Sequence, residues 1–181
     1  MRKIKWVIPF FCIGLITACS YKDDELVATF RGQNIYVLDL KKTSEVSDED
    51  IPEVTQNYVF REAVVLEAKE RGITVSAEEI DNEIAYVFNN YEQLGLEDIT
   101  KHLKNQAKKY NMSYEDYLNT VYREEIEKSR YVIKMMDEIF DVQSVDEMKN
   151  IGFFQQQEQQ FQEWYSAILE KYQDDIEFYY Y

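Results

Sequence analysis

Glu67-Ala68-Lys69-Glu70-Arg71-Gly72-Ile73-Thr74-Val75-Ser76-Ala77-Glu78-Glu79-Ile80-Asp81 decides the fold. It reads as the end of one helix and the start of the next. Gly72 can adopt the left-handed backbone that stops a helix. Ser76 and Glu79 stand at capping-box spacing, where each side chain satisfies the free backbone N–H of the other.

Helical pattern extends in both directions from this junction. Upstream, a long helix is expected to begin near Ser47. Asp48, Glu49 and Asp50 suit the positive end of its dipole, and Pro52 is tolerated in a first turn. Ile51, Val54, Tyr58, Val59, Ala63 and Leu66 form its apolar stripe. Downstream, Ile80, Ile84, Val87 and Phe88 mark the buried side of a second helix, which breaks at Gly95. A third helix covers roughly residues 96–110. Ser113 caps a long helix from Tyr114 to about Phe140, with Leu118, Val121, Tyr122 and Ile126 as its stripe. Ser144 and Glu147 form another capping box. A last helix runs through Phe161, Trp164, Tyr165, Ile168 and Leu169 to about Tyr172, and the glutamine-rich run 155–160 reads as its solvated face. Ahead of the helices, Leu26 to Phe30 and Ile35 to Val37 are β-favouring runs flanking Arg31-Gly32-Gln33-Asn34, a hairpin signature. The chain ends on Ile176-Glu177-Phe178-Tyr179-Tyr180-Tyr181, which is also β-favouring.

The first 18 residues have a different character. Arg2, Lys3 and Lys5 precede an apolar run from Trp6 to Ile16, and small residues lead to Cys19. That is the order of a secretory signal. The run is too short to span a bilayer, which takes roughly 20 residues. Leu15-Ile16-Thr17-Ala18-Cys19 resembles the lipobox of bacterial lipoproteins. The resemblance implies a diacylglyceryl group on the Cys19 sulfur and cleavage after Ala18, with acylation of the new amino terminus as an optional second step. Two acyl chains anchor stably where one holds only marginally. The expected layout is a signal at 1–18, a lipidated polar tether at 19–25 and one domain at 26–181. The place would be extracytoplasmic, on the cell membrane. Ser20 after the cysteine permits outer-membrane sorting in a two-membrane cell.

The signal takes three of the 20 basic residues and none of the 35 acidic ones, which leaves a body of net charge −18. So acidic a body disfavours nucleic acid and anionic headgroups as direct partners, so membrane contact should run through the lipid alone. Cys12 leaves with the signal and Cys19 carries lipid, so neither a disulfide nor a thiol nucleophile is expected.

Most of the body also resembles the SurA-like and PrsA-like extracytoplasmic chaperones. Val27 to Ile35 is similar to their opening hairpin, residues 67–81 to their helix junction, and Asn111 to Leu118 to the start of their long helix. Trp164 with Asp175 to Phe178 is similar to their closing segment. The resemblance implies a mostly α fold with a small β element, an open bundle of about five helices. In it the N-terminal hairpin pairs with a C-terminal strand, as in SurA N-terminal and trigger-factor C-terminal domains. The parvulin prolyl isomerase domain of those proteins needs paired histidines and a glycine-rich sheet. This chain has one histidine, His102, and no room for such an insert, so no enzyme activity and no cofactor are expected.

Other candidates have plainer explanations. His102 lacks a second metal ligand. Asp48 to Asp50 and Asp174-Asp175 lack the alternating oxygen spacing of a calcium loop. Ser76, Ser113 and Ser144 sit where caps are wanted. What stands out is the aromatic content. Any single tyrosine is explained by half-buried packing, but tyrosine also suits adaptable contact with peptides. The peptide-contact candidates are Tyr86, Phe88, Tyr91, Tyr114, Tyr117, Tyr122, Met135 and Met136. The expected function is a membrane-tethered module that holds unfolded or partly folded secreted proteins without catalysis. The alternative is an envelope accessory subunit of the same fold with one dedicated partner.

Overall fold

A computed structural model describes residues 20–42, 45–90, 97–140 and 151–179; the side chains of 87, 88, 90, 97–99 and 151–157 fall outside that description. The signal segment, Cys19, Tyr91, Gly95, the Ser144–Glu147 capping box and Tyr180-Tyr181 therefore lie outside the described residues.

Strands β1 (Leu26–Phe30) and β2 (Gln33–Tyr36) form the hairpin, and β3 (Ile176–Phe178) pairs with the free side of β1. Both pairings are antiparallel: Thr29 lies opposite Asn34 on one side and Glu177 on the other. Arg31 donates its backbone N–H to the Asp175 carbonyl at 2.8 Å, and Tyr179 donates to Val27 at 2.9 Å, so the pairing runs the length of β1. The turn is tighter than its four-residue signature suggested. Only Arg31 and Gly32 lie outside the strands, both with positive φ, at 51° and 75°. That is the primed-turn geometry whose twist matches the strands.

β2 runs directly into a one-turn helix, α1 (Val37–Leu40), not foreseen in the sequence. Asp39 starts it by accepting the Tyr36 N–H at 2.9 Å. The expected tether is held against this helix. Leu38 donates its N–H to the Asp23 carbonyl at 2.9 Å, Val37 donates to Glu25 at 3.0 Å, and Lys41 pairs with Asp23 at 3.0 Å. Tyr21 packs against the core.

A 3-10 turn, Asp48–Asp50, leads into α2 (Ile51–Glu70), so the helix starts slightly later than its acidic residues implied. α3 (Ala77–Asn90) and α4 (Glu97–Lys109) follow. The long helix is continuous from Tyr114 to Ile139 but not uniform: α5 (Tyr114–Tyr117), a π-helical turn (Leu118–Tyr122) and α6 (Arg123–Ile139). Within that turn the Thr120 hydroxyl donates to the Asp116 carbonyl at 2.6 Å. Such back-bonding occupies a carbonyl of the helical ladder and loosens the turn. The last helix is α7 (Ile151–Lys171). Glu158, Gln159 and Gln160 are exposed on it, and Gln159 donates to Glu163 at 2.8 Å.

Buried side chains fall into two clusters. The first surrounds α2, where Ile51, Val59, Ala63 and Val64 have no exposed surface, and takes in the sheet, Tyr131 and Met135 of α6, and Ile168 and Tyr172. The second joins α3, α4 and α5 through Ile80, Ile84, Leu103, Ala107, Tyr117, Leu118 and Ile126. α6 belongs to both, so it is the spine on which the two cores are mounted.

The junction that opens the sequence reading is built as its residues predict. Gly72 has φ 82°, its N–H bonds the Lys69 carbonyl at 3.0 Å, and the Ile73 N–H bonds Ala68 at 2.9 Å. α4 ends in the same way on Asn111, with φ 53° and bonds to Lys108 and Ala107. The Ser76–Glu79 box is closed by bonds of 2.8 and 3.2 Å. Lys134 of α6 adds to it, pairing with Glu79 at 2.7 Å and donating to the Thr74 carbonyl at 2.7 Å. The Lys134 bond first, then the Ser76 N–H and hydroxyl, pull the Glu79 carboxyl from 4.5 down to about 2.

Three expectations follow. A Cβ at Gly72 would meet no atom within 4 Å, so Gly72→Ala should cost about 1–2 kcal/mol in urea unfolding through backbone strain alone. Asn111→Gly should be neutral or stabilising by up to roughly 1 kcal/mol. Glu79 is depressed in the folded state, so its contribution is complete above pH 4.5 and is lost as the pH falls toward about 2. Glu79→Gln should flatten that acid limb of the stability curve, and an unchanged limb would show the Lys134 contact to be idle.

Candidate functional site

Among the described residues, the peptide-contact candidates do not form one surface. Tyr117 and Met135 have no exposed surface and belong to the second and first cores respectively. Tyr114 and Tyr122 pack against the second core, with Lys104 5.3 Å from the Tyr114 ring centre. Met136 is half-buried on α6, whereas Tyr86 is 52% exposed on α3. The Phe88 side chain and Tyr91 lie outside the described residues. Helical spacing identified apolar positions correctly but could not separate those facing a core from those facing water.

Tyr117 has a structural task. Its hydroxyl donates to the Lys42 carbonyl, Tyr110 donates to Leu38 at 3.5 Å, and the two rings are 5.7 Å apart. Burial pushes the Tyr110 hydroxyl up to about 12 and the Tyr117 hydroxyl further above its ordinary range, so both remain donors. Together they fasten the second core to α1 and to the residues just after it.

An open groove of about 310 Å³ lies between α3 and the π-helical turn; Tyr86 is not among the residues that line it. Ile84, Ala85 and Leu118 give it an apolar floor, and Asn89, Asn119, Asp81 and Glu115 supply polar groups around it. Asp81 is held by Arg123 at 2.5 Å. The π-helical turn brings Leu118 and Asn119 to this groove, and such turns recur at functional sites because they re-aim side chains. A floor that takes apolar groups, with carboxamides that can pair with amides, is equipped to hold a short stretch of extended chain.

A second concavity is lined in part by α6. Two hollows, of about 210 and 320 Å³, share Asp39 and Tyr58. The hairpin and α1 line one side, α2 and α6 the other. Arg61 pairs with Glu125 at 2.7 Å, and Lys128 pairs with Glu62 at 2.8 Å and Glu124 at 2.9 Å. Arg61 and Lys128 also sit over the Tyr58 ring, 4.9 and 5.8 Å from its centre. Burial, then the nearby Glu62 carboxylate, push the Tyr58 hydroxyl well above its ordinary value. Burial opposes charge on Lys128, but its bond to Glu62 outweighs this and raises it. Sequence reasoning missed this cleft. The pairs Arg61–Glu125 and Lys128–Glu62 that build it join α2 to α6, whereas the local spacings Glu124–Lys128 and Asp39–Lys42 do not by themselves announce a cleft.

His102 lies 3.4 Å from Gln106, one turn along α4, and no group of three His, Cys, Asp or Glu side chains among the described residues could hold a metal ion. Nor is any described helix long and apolar enough to cross a membrane. Compared with protein-family models, curated proteins and solved structures, the chain shows no match in any of the three.

Glu125 is only 4% exposed and depends on Arg61. Glu125→Ala would leave the guanidinium without its main partner and should cost about 3 kcal/mol. The double replacement Arg61→Met with Glu125→Leu should recover most of that loss in chemical denaturation.

Proposed function

We propose that this chain is a membrane-tethered, extracytoplasmic, chaperone-like lipoprotein, anchored through lipid on Cys19, that holds unfolded or partly folded secreted proteins without catalysis. The observation that carries the reading is the open groove between α3 and the π-helical turn. It combines an apolar floor at Ile84, Ala85 and Leu118 with the carboxamides of Asn89 and Asn119. Contacts of this kind are weak and sequence-tolerant, as a holding function requires. They need neither ATP nor a covalent step. The N-terminal pattern ending at Cys19 supports the location. The body's acidity supports lipid as its only link to an anionic bilayer.

A dedicated-partner role within the same envelope is the second reading. The charged cleft around Tyr58 favours it, because fixed ion pairs around a hollow select a ligand more narrowly than an apolar groove does.

The test has two arms. Labelled palmitate should enter the wild-type chain in a lipoprotein-exporting cell and fail to enter Cys19→Ala; equal labelling would remove the anchor. The purified protein should suppress aggregation of unrelated denatured proteins at near-stoichiometric ratios. Asn119→Trp, which fills the groove from an exposed position, should weaken that suppression several-fold. Suppression by neither form, with one protein co-purifying, would decide for the dedicated partner.

A further inference from the structure

α4 is the exception to the acidity of this body. No acidic residue occurs from Ile99 to Tyr114, and Lys101, Lys104, Lys108 and Lys109 all fall in that run. The four lysines are exposed, whereas Leu103, Gln106 and Ala107 of the same helix are buried. Lys101, Lys104 and Lys108 stand three and four residues apart, which places them in one stripe along the helix, with Lys109 at its flank. Lys104 lies over the Tyr114 ring. Among the described residues, Lys101, Lys108 and Lys109 have no carboxylate partner, although Lys41, Lys42, Lys128, Lys134 and Lys171 each have one.

Folding alone gives a poor account of this stripe. Like charges three and four residues apart on a helix repel each other. The helix dipole favours Lys108 and Lys109 in the last turn, but not Lys101 near the other end. A chain with 35 acidic residues has carboxylates enough to pair these lysines, yet their side chains are left facing solvent. Their charge suits an anion from outside. A bilayer or a nucleic acid carries charge over distances well beyond the screening length of about 8 Å. Either would therefore also meet the acids that give the body its net charge of −18. A short segment meets only the local field. From Lys101 to Lys108 the helix rises roughly 10 Å, the length of about three residues of extended chain. Alternate side chains of such a chain face one way, roughly 6.6 Å apart. Successive lysines of the stripe are separated by roughly 4.5 and 6 Å of helix rise, a difference their flexible stems can absorb.

We propose that the exposed face of α4 is an interaction surface for an extended acidic segment of a partner polypeptide, with aspartate or glutamate at alternate positions. Its carboxylates pair with Lys101, Lys104 and Lys108, and Lys109 takes an acid at the edge. Asn105, also exposed, offers a carboxamide to the backbone of the segment. This goes beyond the holding function: it concerns a different face and requires neither lipid on Cys19 nor the groove beside α3.

The test is nuclear magnetic resonance on the isotope-labelled full-length chain in uncharged detergent micelles, reading the backbone amides of α4. The probe is a capped peptide of alternating glutamate and alanine, which should shift those amides saturably. Its glutamine counterpart should bind at least about tenfold more weakly, and added salt should weaken the glutamate probe several-fold. Lys101→Gln with Lys108→Gln should cut its affinity about tenfold, while Lys22→Gln with Lys69→Gln, an equal loss of charge from exposed positions elsewhere, should leave it unchanged. Equal shifts from the glutamate and glutamine probes, or equal losses in the two double variants, would overturn the proposal. Phosphatidylglycerol mixed into the micelles, or oligothymidylate, shifting the α4 amides more strongly than the peptide would give the stripe to a bilayer or a nucleic acid and overturn the acidic-segment assignment.

Discussion

The three-residue pairing of β3 with β1 holds the two ends of the described domain together. Bringing such distant segments into register costs on the order of 4–5 kcal/mol of chain entropy, more than three residues of ladder return. Core packing offsets this cost, and contacts at the end of α7 contribute further. Lys171 donates to Glu67 and, at 2.8 Å, to Glu70, and the Tyr172 hydroxyl lies 3.1 and 3.2 Å from those same carboxylates. Burial works against charge on Glu67, but its bonds from Lys171, Arg71 and Tyr172 prevail and hold it below the ordinary carboxylate range. The Tyr172 ring meets Phe30 of β1 edge-on at 5.9 Å. The clamp thus joins α7 to α2 and places β3 where β1 can receive it. The covered edge of the hairpin and the anchored end of α7, far apart in sequence, belong to one set of contacts.

Local chemistry was legible in the sequence, and distant chemistry was not. Ser76 with Glu79, Ser113 with Asp116, and Gly72 all act within four residues of themselves, so their caps could be read directly. The hairpin and its partner strand were legible through β-favouring runs and a resemblance to one chaperone class. By contrast, α1 depends on Asp39 reaching back to Tyr36 and on the docked segment at Asp23 and Glu25. That segment reads as a polar tether because its composition is polar. Its backbone nonetheless finds partners in α1, and composition carries no record of that. The π-helical turn has a local cause in Thr120, yet a threonine in a helical stripe usually makes no such turn, so its presence alone could not announce one.

The division into two cores explains why the aromatic residues could not be sorted in advance. A single stripe on the long helix serves the second core at Leu118 and Ile126, and the first at Tyr131 and Met135. The buried side changes between Ile126 and Tyr131, within α6. The π-helical turn lies earlier, at Leu118–Tyr122, and presents Leu118 and Asn119 to the groove beside α3. Leu118 thus serves the second core and the candidate groove at once.

The two concavities differ in what their residues do for the fold. The groove beside α3 uses side chains whose packing is complete without a ligand: Ile84 and Leu118 are buried in the second core, and Asn119 is exposed. The charged cleft is otherwise. A hydrophobic pair in place of Arg61 and Glu125 would fold as well or better by the usual balance of desolvation against attraction. Retaining a buried carboxylate with one oxygen unserved is thus a cost that folding alone does not explain. Oε1 of Glu125 and Nε of Arg61 have neither a hydrogen-bond partner nor open surface, so that cost is carried inside the fold.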